Sequence, residues 1–181
     1  SETWRGMEEA HAKGLCRHIG VSNFSSRKIG DLLTSASTPP AVNQVEAHPF
    51  FPQRELLAWC QEHDIVLTAY SPLGSQDRVP EFKRDDEPQP LRDPVILEIA
   101  EHHGLNAGQV LIAWAVQRGT SVIPKTSNPE RLRQNLEAAS VTLSDADLTA
   151  IAALESGYRI IHGGFFATEG SGYTVAGLWD E

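Results

Sequence analysis

The segment Val122-Ile-Pro-Lys-Thr-Ser-Asn-Pro-Glu-Arg131, followed by Arg133, Gln134 and Asn135, has the residue types of an anion site. A short β-branched run ends in Lys125, and Asn128 followed by Pro129 reads as a helix cap with a first-turn proline. Amides at such a helix start, the positive end of its dipole, Lys125 and Arg131 would converge on a phosphate. The same residues also describe a capped surface helix with solvated arginines, and the segment alone does not choose between the two.

The remaining chemistry-bearing residues are weaker signals. Tyr70 ends an apolar run and reads either as a stacking surface or as a core aromatic with its hydroxyl satisfied. Asn23 and Gln44 read equally well as ligand amides or as buried amides paired with neighbouring loops. His48 reads as a residue behind a pocket or at its rim. His102 and His103 are adjacent on a helix, point in different directions and suggest no metal site. Cys16 and Cys60 have neither CxxC spacing nor the density of a disulfide framework, so both read as buried thiols.

These groups need elements to hold them. Four runs, Cys16–Val21, Ala41–Glu46, Ile65–Tyr70 and Ser121–Pro124, alternate with stretches of helical spacing, the pattern of a parallel α/β sheet built from βα repeats. Thr3 can cap a helix running to Lys13, Gly14 can end it, and Ser25 can cap the next. Leu56, Leu57 and Cys60 share a helical face, as do Val95, Ile96, Ile99 and Ala100, and then Val110, Leu111 and Trp114, so these are core stripes. Gln76–Leu91 is rich in charge and proline and reads as a long loop of the kind that covers a site. Beyond Leu154 the glycines Gly157, Gly163, Gly164, Gly170, Gly172 and Gly177 predict an irregular tail, residues 155–181, rather than another βα unit.

Composition narrows the function classes. Of 181 residues 40% are hydrophobic and 22% charged, the balance of a soluble globular protein. Lys and Arg number 15 against 24 Asp and Glu, a formal charge of −9, which argues against nucleic acid or an anionic membrane as partner. No apolar run approaches the roughly 20 residues needed to cross a bilayer, and no leader pattern opens the chain, so a cytoplasmic location is expected. The chain starts at Ser1, without an initiator Met, directly in a helix-like run. That start, and four strand signals where a (β/α)8 barrel of typically about 250 residues has twice as many, lead us to expect an upstream half. Two sheet edges would otherwise need a covering partner.

Four motifs, Gly20-Val-Ser-Asn-Phe24, Val42-Asn-Gln-Val-Glu-Ala-His-Pro49, Thr68-Ala-Tyr-Ser-Pro-Leu-Gly-Ser75 and Val122-Ile-Pro-Lys-Thr126, stand together in the order found in the aldo-keto reductase family, which the chain resembles from about Thr3 to about Leu154. The resemblance implies a parallel (β/α)8 TIM-barrel fold of which residues 1–154 supply the C-terminal half, strands five to eight, with the tail as a loop of the substrate pocket. It implies an NADPH-dependent oxidoreductase that turns an aldehyde or ketone, a sugar-derived one among the candidates, into an alcohol. Tyr70 would stack on the nicotinamide ring, and Ser22, Asn23 and Gln44 would hold its carboxamide. Ser71, Leu73 and Ser75 would line the pyrophosphate, with Asp77 on the covering loop. Lys125, Thr126, Ser127 and Arg131 would hold the 2′-phosphate, and Gln134 with Asn135 would reach the adenine. Thr126 stands where many members have serine, and Gln134 replaces an acidic residue common there.

The proton donor of that reaction, a tyrosine tuned by Lys, Asp and His, falls in the resembling proteins on strands before this chain begins. Tyr158 and Tyr173 have no Lys–Asp partnership in the sequence, so no catalytic acid is assigned. Phe165, Phe166, Tyr173 and Trp179 are candidates for the substrate pocket, or are simply parts of a mobile tail. A cofactor-binding regulatory module or an inactive truncated product is the alternative from another class. A different phosphate-binding barrel enzyme would leave Tyr70 and Gln44 unexplained.

Overall fold

The structure is a computed structural model and describes residues 2–180. Its strands are β1 (Gly20–Ser22), β2 (Val42–Glu46), β3 (Val66–Tyr70) and β4 (Ser121–Val122), in the sheet order β1-β2-β3-β4. β1 and β2 run parallel with Gly20 opposite Val42 and Ser22 opposite Gln44. A side chain at position 20 would put its Cβ 2.7 Å from the Val42 carbonyl oxygen, so glycine is what lets these strands close up. Helices intervene between successive strands, which is the α/β order expected of part of a (β/α)8 barrel.

The chain divides into two compact units. One holds the stretch up to Val45, Arg54–Thr68 and the chain from His162 onward. Its helices are α1 (Glu2–Ala12), α2 (Ser26–Leu33), α3 (Arg54–Glu62) and, after α4 to α7 in chain order, α8 (Val175–Trp179). Ser25 caps α2 by accepting from the Lys28 amide at 3.1 Å, as the sequence predicts. The helix buries Ile29 and Leu32: Ile29 packs with Cys60 and Ile65, and Leu32 with Trp4 and Ile19. The tail is fastened here by Asp180, which accepts from the Ser25 hydroxyl and pairs with Arg27 at 2.6 Å and Lys28 at 3.2 Å.

The other unit holds Glu46–Gln53 and Ala69–Ile161. It contains α4 (Pro94–His103), α5 (Ala107–Gln117), α6 (Pro129–Glu137) and α7 (Asp145–Ala152). The capping box of Asn106 and Gln109 starts α5, and the fully buried run from Val110 to Ala113 lets it serve as the central core helix. Ile96, Ile99, Leu111, Trp114, Leu143 and Ile151 pack into one cluster around it. Burying side chains such as Ile96 and Leu111 completely contributes roughly 1.5–3 kcal/mol each.

Several sequence expectations need correction. β1 is only three residues long; Arg17 and His18 are exposed, and the Cys16 carbonyl accepts from or faces the His11 ring at 3.2 Å instead of a strand neighbour. Cys16 is half-buried, whereas Cys60 is buried. Thr3 lies inside α1 and does not cap it. The Gln76–Leu91 loop contains two single-turn 3-10 segments, Pro80–Phe82 and Pro90–Arg92, because each proline supplies the fixed φ of a first turn. The tail likewise includes the short helix α8, capped by Thr174.

Candidate functional site

The loops that follow β3 and β4, with the start of α5, line an open cavity of about 760 Å³, within the range of small-molecule sites. Ser71, Leu73, Ser75, Asp77, Lys125, Thr126, Ser127, Arg131, Gln134 and Asn135 all line it. The β3 loop makes a tight turn: Ser71 and Ser75 have φ of 51° and 47°, and Gly74 has φ 90°. The Ser75 hydroxyl donates to the Ser71 oxygen at 2.6 Å, and the Gly74 amide to the Ser71 carbonyl at 3.0 Å. Two serines held in the left-handed region beside a cavity is the pattern in which backbone strain accompanies function.

On the opposite wall the Asn128 side chain accepts from the Arg131 amide at 3.1 Å, Pro129 opens α6, and Thr126 accepts from the Asn128 amide at 3.1 Å. Asn128 therefore caps α6 as expected, and the helix start faces the cavity. Lys125 spans toward the β3 side and pairs with Asp77 at 2.8 Å, with both side chains largely exposed. The Lys125 hydrogen bond and charge hold the Asp77 carboxyl below its ordinary 3.8. Arg133, by contrast, is taken up on α6 itself by Glu130 and Glu137. Gln134 accepts from Asn106 at 3.1 Å and donates to Glu130 at 3.2 Å.

Asn106, Gly108 and Leu91 line the cavity without having been singled out from the sequence. Asn106 is legible only as the cap of α5; its second role, reaching Gln134 from 28 residues away, has no local signature.

Tyr70 ends β3 half-buried, with its carbonyl accepting from Ala47 at 3.3 Å, and it is not among the lining residues. Ser22, Asn23 and Gln44 come together where β1 and β2 end: the Ser22 hydroxyl and the Asn23 amide both donate to the Gln44 carbonyl at 2.9 Å. Asn23 has φ 59°, and its side-chain oxygen is buried with no hydrogen-bond partner. An orphaned acceptor on a strained loop fits a ligand that brings an N–H group.

His48 is fully buried and bonded through Nε2 to Glu46 at 2.9 Å, which excludes the rim and leaves a place behind the surface. The His102 and His103 rings lie edge to face at 5.1 Å, and one ligand atom from each, with one from Asp147, falls within 4.8 Å. The His103 ring bonds Asp147 at 2.8 Å, and the same carboxylate oxygen also accepts from the amide and hydroxyl of Ser144. Of the tyrosines in the tail, Tyr158 donates to Asp86 at 3.2 Å, and burial pushes its pKa up, while Tyr173 is exposed.

A parallel α/β fold with a cavity built from strand-end loops defines the class of protein. A family model described as the aldo/keto reductase family matches residues 1–156. The aldo/keto reductase slr0942 of Synechocystis sp. (strain ATCC 27184 / PCC 6803 / Kazusa) is 54% identical over 179 residues, 99% of this chain and 55% of that protein. Aldo-keto reductase family 1 member A1 is 46% identical in Bos taurus and 45% in Homo sapiens, each match covering 88% of this chain and 49% of the relative. This chain belongs to the aldo/keto reductase family. It spans about half the length of the curated relatives it matches. Among the described residues no helix is long and apolar enough to cross a membrane.

Proposed function

We propose that this chain supplies the cofactor grip of an NADPH-dependent oxidoreductase that reduces an aldehyde or ketone to an alcohol. The observation that carries the reading is the placement of Lys125 and Arg131 at the capped start of α6, on the wall of a cavity of about 760 Å³, in a chain of net charge −9. Two cations and a helix N-terminus form a local exception to an acidic field, and a phosphate is what such an exception suits. Ser71, Leu73, Ser75 and Asp77 would line the pyrophosphate, and Gln134 with Asn135 the adenine. NADPH, when bound, supplies the hydride.

The residues of this chain position and discriminate. Lys125, Thr126, Ser127 and Arg131 would hold the 2′-phosphate that distinguishes NADPH from NADH. The family resemblance gives Ser22, Asn23 and Gln44 the nicotinamide carboxamide, and the orphaned Asn23 oxygen suits its amide N–H. Tyr70 would offer its ring face, fixing which side of the nicotinamide is presented. No tyrosine of this chain is assigned the proton transfer: burial raises the Tyr158 pKa, the opposite of what a donor working near neutrality needs. In this reading the tail beyond Leu154 shapes the substrate pocket, and the protein works in the cytoplasm.

Arg131→Ala tests the reading. NADPH binding, followed by quenching of protein fluorescence, should weaken by about tenfold or more, the worth of a charge-assisted phosphate contact. NADH binding should hardly change. Equal losses for the two nucleotides would count against a 2′-phosphate site. The 181-residue chain by itself should show no carbonyl-dependent oxidation of NADPH, and clear turnover would overturn the assignment of the proton donor outside it.

A further inference from the structure

Glu46, the last residue of β2, is fully buried, as is His48 beside it. Its carboxylate accepts from two successive backbone amides far along the chain, Ile160 at 2.6 Å and Ile161 at 2.8 Å, and from the His48 ring at 2.9 Å. A buried carboxylate is costly to desolvate, and three donors on its two oxygens are what keep it there. The carboxylate therefore fixes the orientation of the 159–161 backbone, whose carbonyls face the other way.

Those carbonyls are used. The Ile160 carbonyl accepts from Arg78 at 3.3 Å and the Arg159 carbonyl from Arg84 at 2.7 Å, both donors lying on the Gln76–Leu91 loop. Arg78 is only 14% exposed and also donates to the Ser75 carbonyl at 3.0 Å, to the Phe82 carbonyl at 2.7 Å and to Glu87 at 2.5 Å. One guanidinium thus ties the beginning, middle and end of the loop to the anchored backbone. Its neighbours Ser75, Gln76 and Asp77 line the cavity, and Asp77 reaches across to Lys125.

We infer that Glu46 and Arg78 are positioning residues for cofactor retention: Glu46 anchors the backbone at 159–161, and Arg78 hangs the cavity-covering loop on that anchor. The inference rests on the cofactor reading above. Neither side chain touches the cavity, so their effect runs through loop position and falls on the rate at which ligand leaves more than on the rate at which it arrives.

The test uses the native protein with Arg78→Met, Arg78→Lys and Glu46→Gln, and two readouts. The first is trypsin cleavage after Lys83 and Arg84 in the loop, referenced to cleavage after Arg27 on α2. The second is NADPH release followed by stopped-flow fluorescence. Arg78→Met should raise both loop cleavage and the release rate by about tenfold, the loss expected for charge-assisted bonds, with the association rate changed far less. Arg78→Lys should recover part of both. Glu46→Gln should move both in the same direction although it lies outside the loop. A folded Glu46→Gln protein with wild-type cleavage and release would overturn the inference. If that variant does not fold, unchanged cleavage in both Arg78 variants overturns it instead. Should the wild type bind no NADPH, the cofactor reading fails, and the cleavage measurements alone decide whether the loop hangs on Glu46.

Discussion

Replacing Lys125 by Met separates what the Lys125–Asp77 pair does for the fold from what Lys125 does for a ligand. The two side chains are 75% and 63% exposed, so their 2.8 Å contact sits in solvent-like dielectric. Such pairs contribute about 0–1 kcal/mol. For a chain of this size that loss lowers the melting temperature by at most about 2–4 °C. A Lys–phosphate contact at a helix N-terminus is a different quantity, because both partners are charged and the dipole adds to the field. Losing one charge-assisted bond of roughly 1.5–3 kcal/mol corresponds to about 10- to 100-fold in affinity. NADH has no 2′-phosphate, so its affinity should change by less than about threefold on the same arithmetic. Fluorescence titration with both nucleotides at low and at moderate salt gives the numbers, and the NADPH preference should shrink as salt screens the exposed site. Because Lys125 is the largest cause lowering the Asp77 pKa, ahead of a backbone hydrogen bond and the Lys83 charge, the variant should also let that carboxyl move upward toward 3.8, which a carbon-detected NMR titration reads. A variant that loses NADPH and NADH in equal measure, or loses ten degrees of melting temperature with both affinities intact, would refute the reasoning.

Other perturbations test the frame around the site. Asn128→Ala removes the cap of α6 and should cost about 1 kcal/mol locally; since α6 buries no residue, faster hydrogen exchange in its first turn should appear with little change in global unfolding. Gly74→Ala puts a Cβ 2.6 Å from Pro90 Cδ at a residue whose φ is 90°, so a loss of about 1–3 kcal/mol is expected in chemical denaturation, and a neutral result would refute the turn geometry. Asp147 and Asp180 are each held down to about 2, chiefly by bonds from the Ser144 and Ser25 hydroxyls. Both bind protons more weakly folded than unfolded, so their stabilisation is complete above the ordinary 3.8 and is lost as pH falls from there through about 2. Circular dichroism should show that loss, and stability that stays flat across the interval would contradict it. Ile96→Ala, at a position with no exposure and inside the cluster around α5, should cost about 2–5 kcal/mol.

The sequence made the local parts of this molecule readable. Asn128-Pro129 and Ser25 announce their helices because a cap is a contact between residues three apart, and both caps form as expected. The core stripes of α4 and α5 are readable because burial follows helical spacing. Ten residues assigned by family resemblance do line one cavity, since the strand ends that carry them are fixed by the βα order. What was not readable depends on distant partners. Glu46 ends the expected strand, and nothing local marks it; only amides 114 and 115 positions away turn its carboxylate into an anchor. His102 and His103 read as pointing in different directions on one helix, and the bond from His103 to Asp147, 44 residues on, has no local signature. Prolines in the 76–91 loop signalled interruption, and twice they begin a 3-10 turn.

Positive φ at a residue other than glycine has a cost, and in the β3 loop it accompanies a side-chain hydrogen bond. Asn23, Ser71 and Ser75 sit in the left-handed region although none is glycine, and asparagine, the type that best tolerates it, occupies only one of the three positions. Holding a serine there costs of order 1 kcal/mol or more, and a glycine at either position would relieve it. A glycine would also remove the hydroxyl, and the Ser75–Ser71 bond with it. Ser71 and Ser75 line the cavity and keep that bond, while Gly74 between them takes the turn, where an added Cβ would lie 2.6 Å from Pro90 Cδ. Substituting Ser75 by Gly should accordingly leave the protein as stable or more so while weakening nucleotide binding. The opposite pattern, lower stability with binding intact, would show that the hydroxyl pair serves the turn alone.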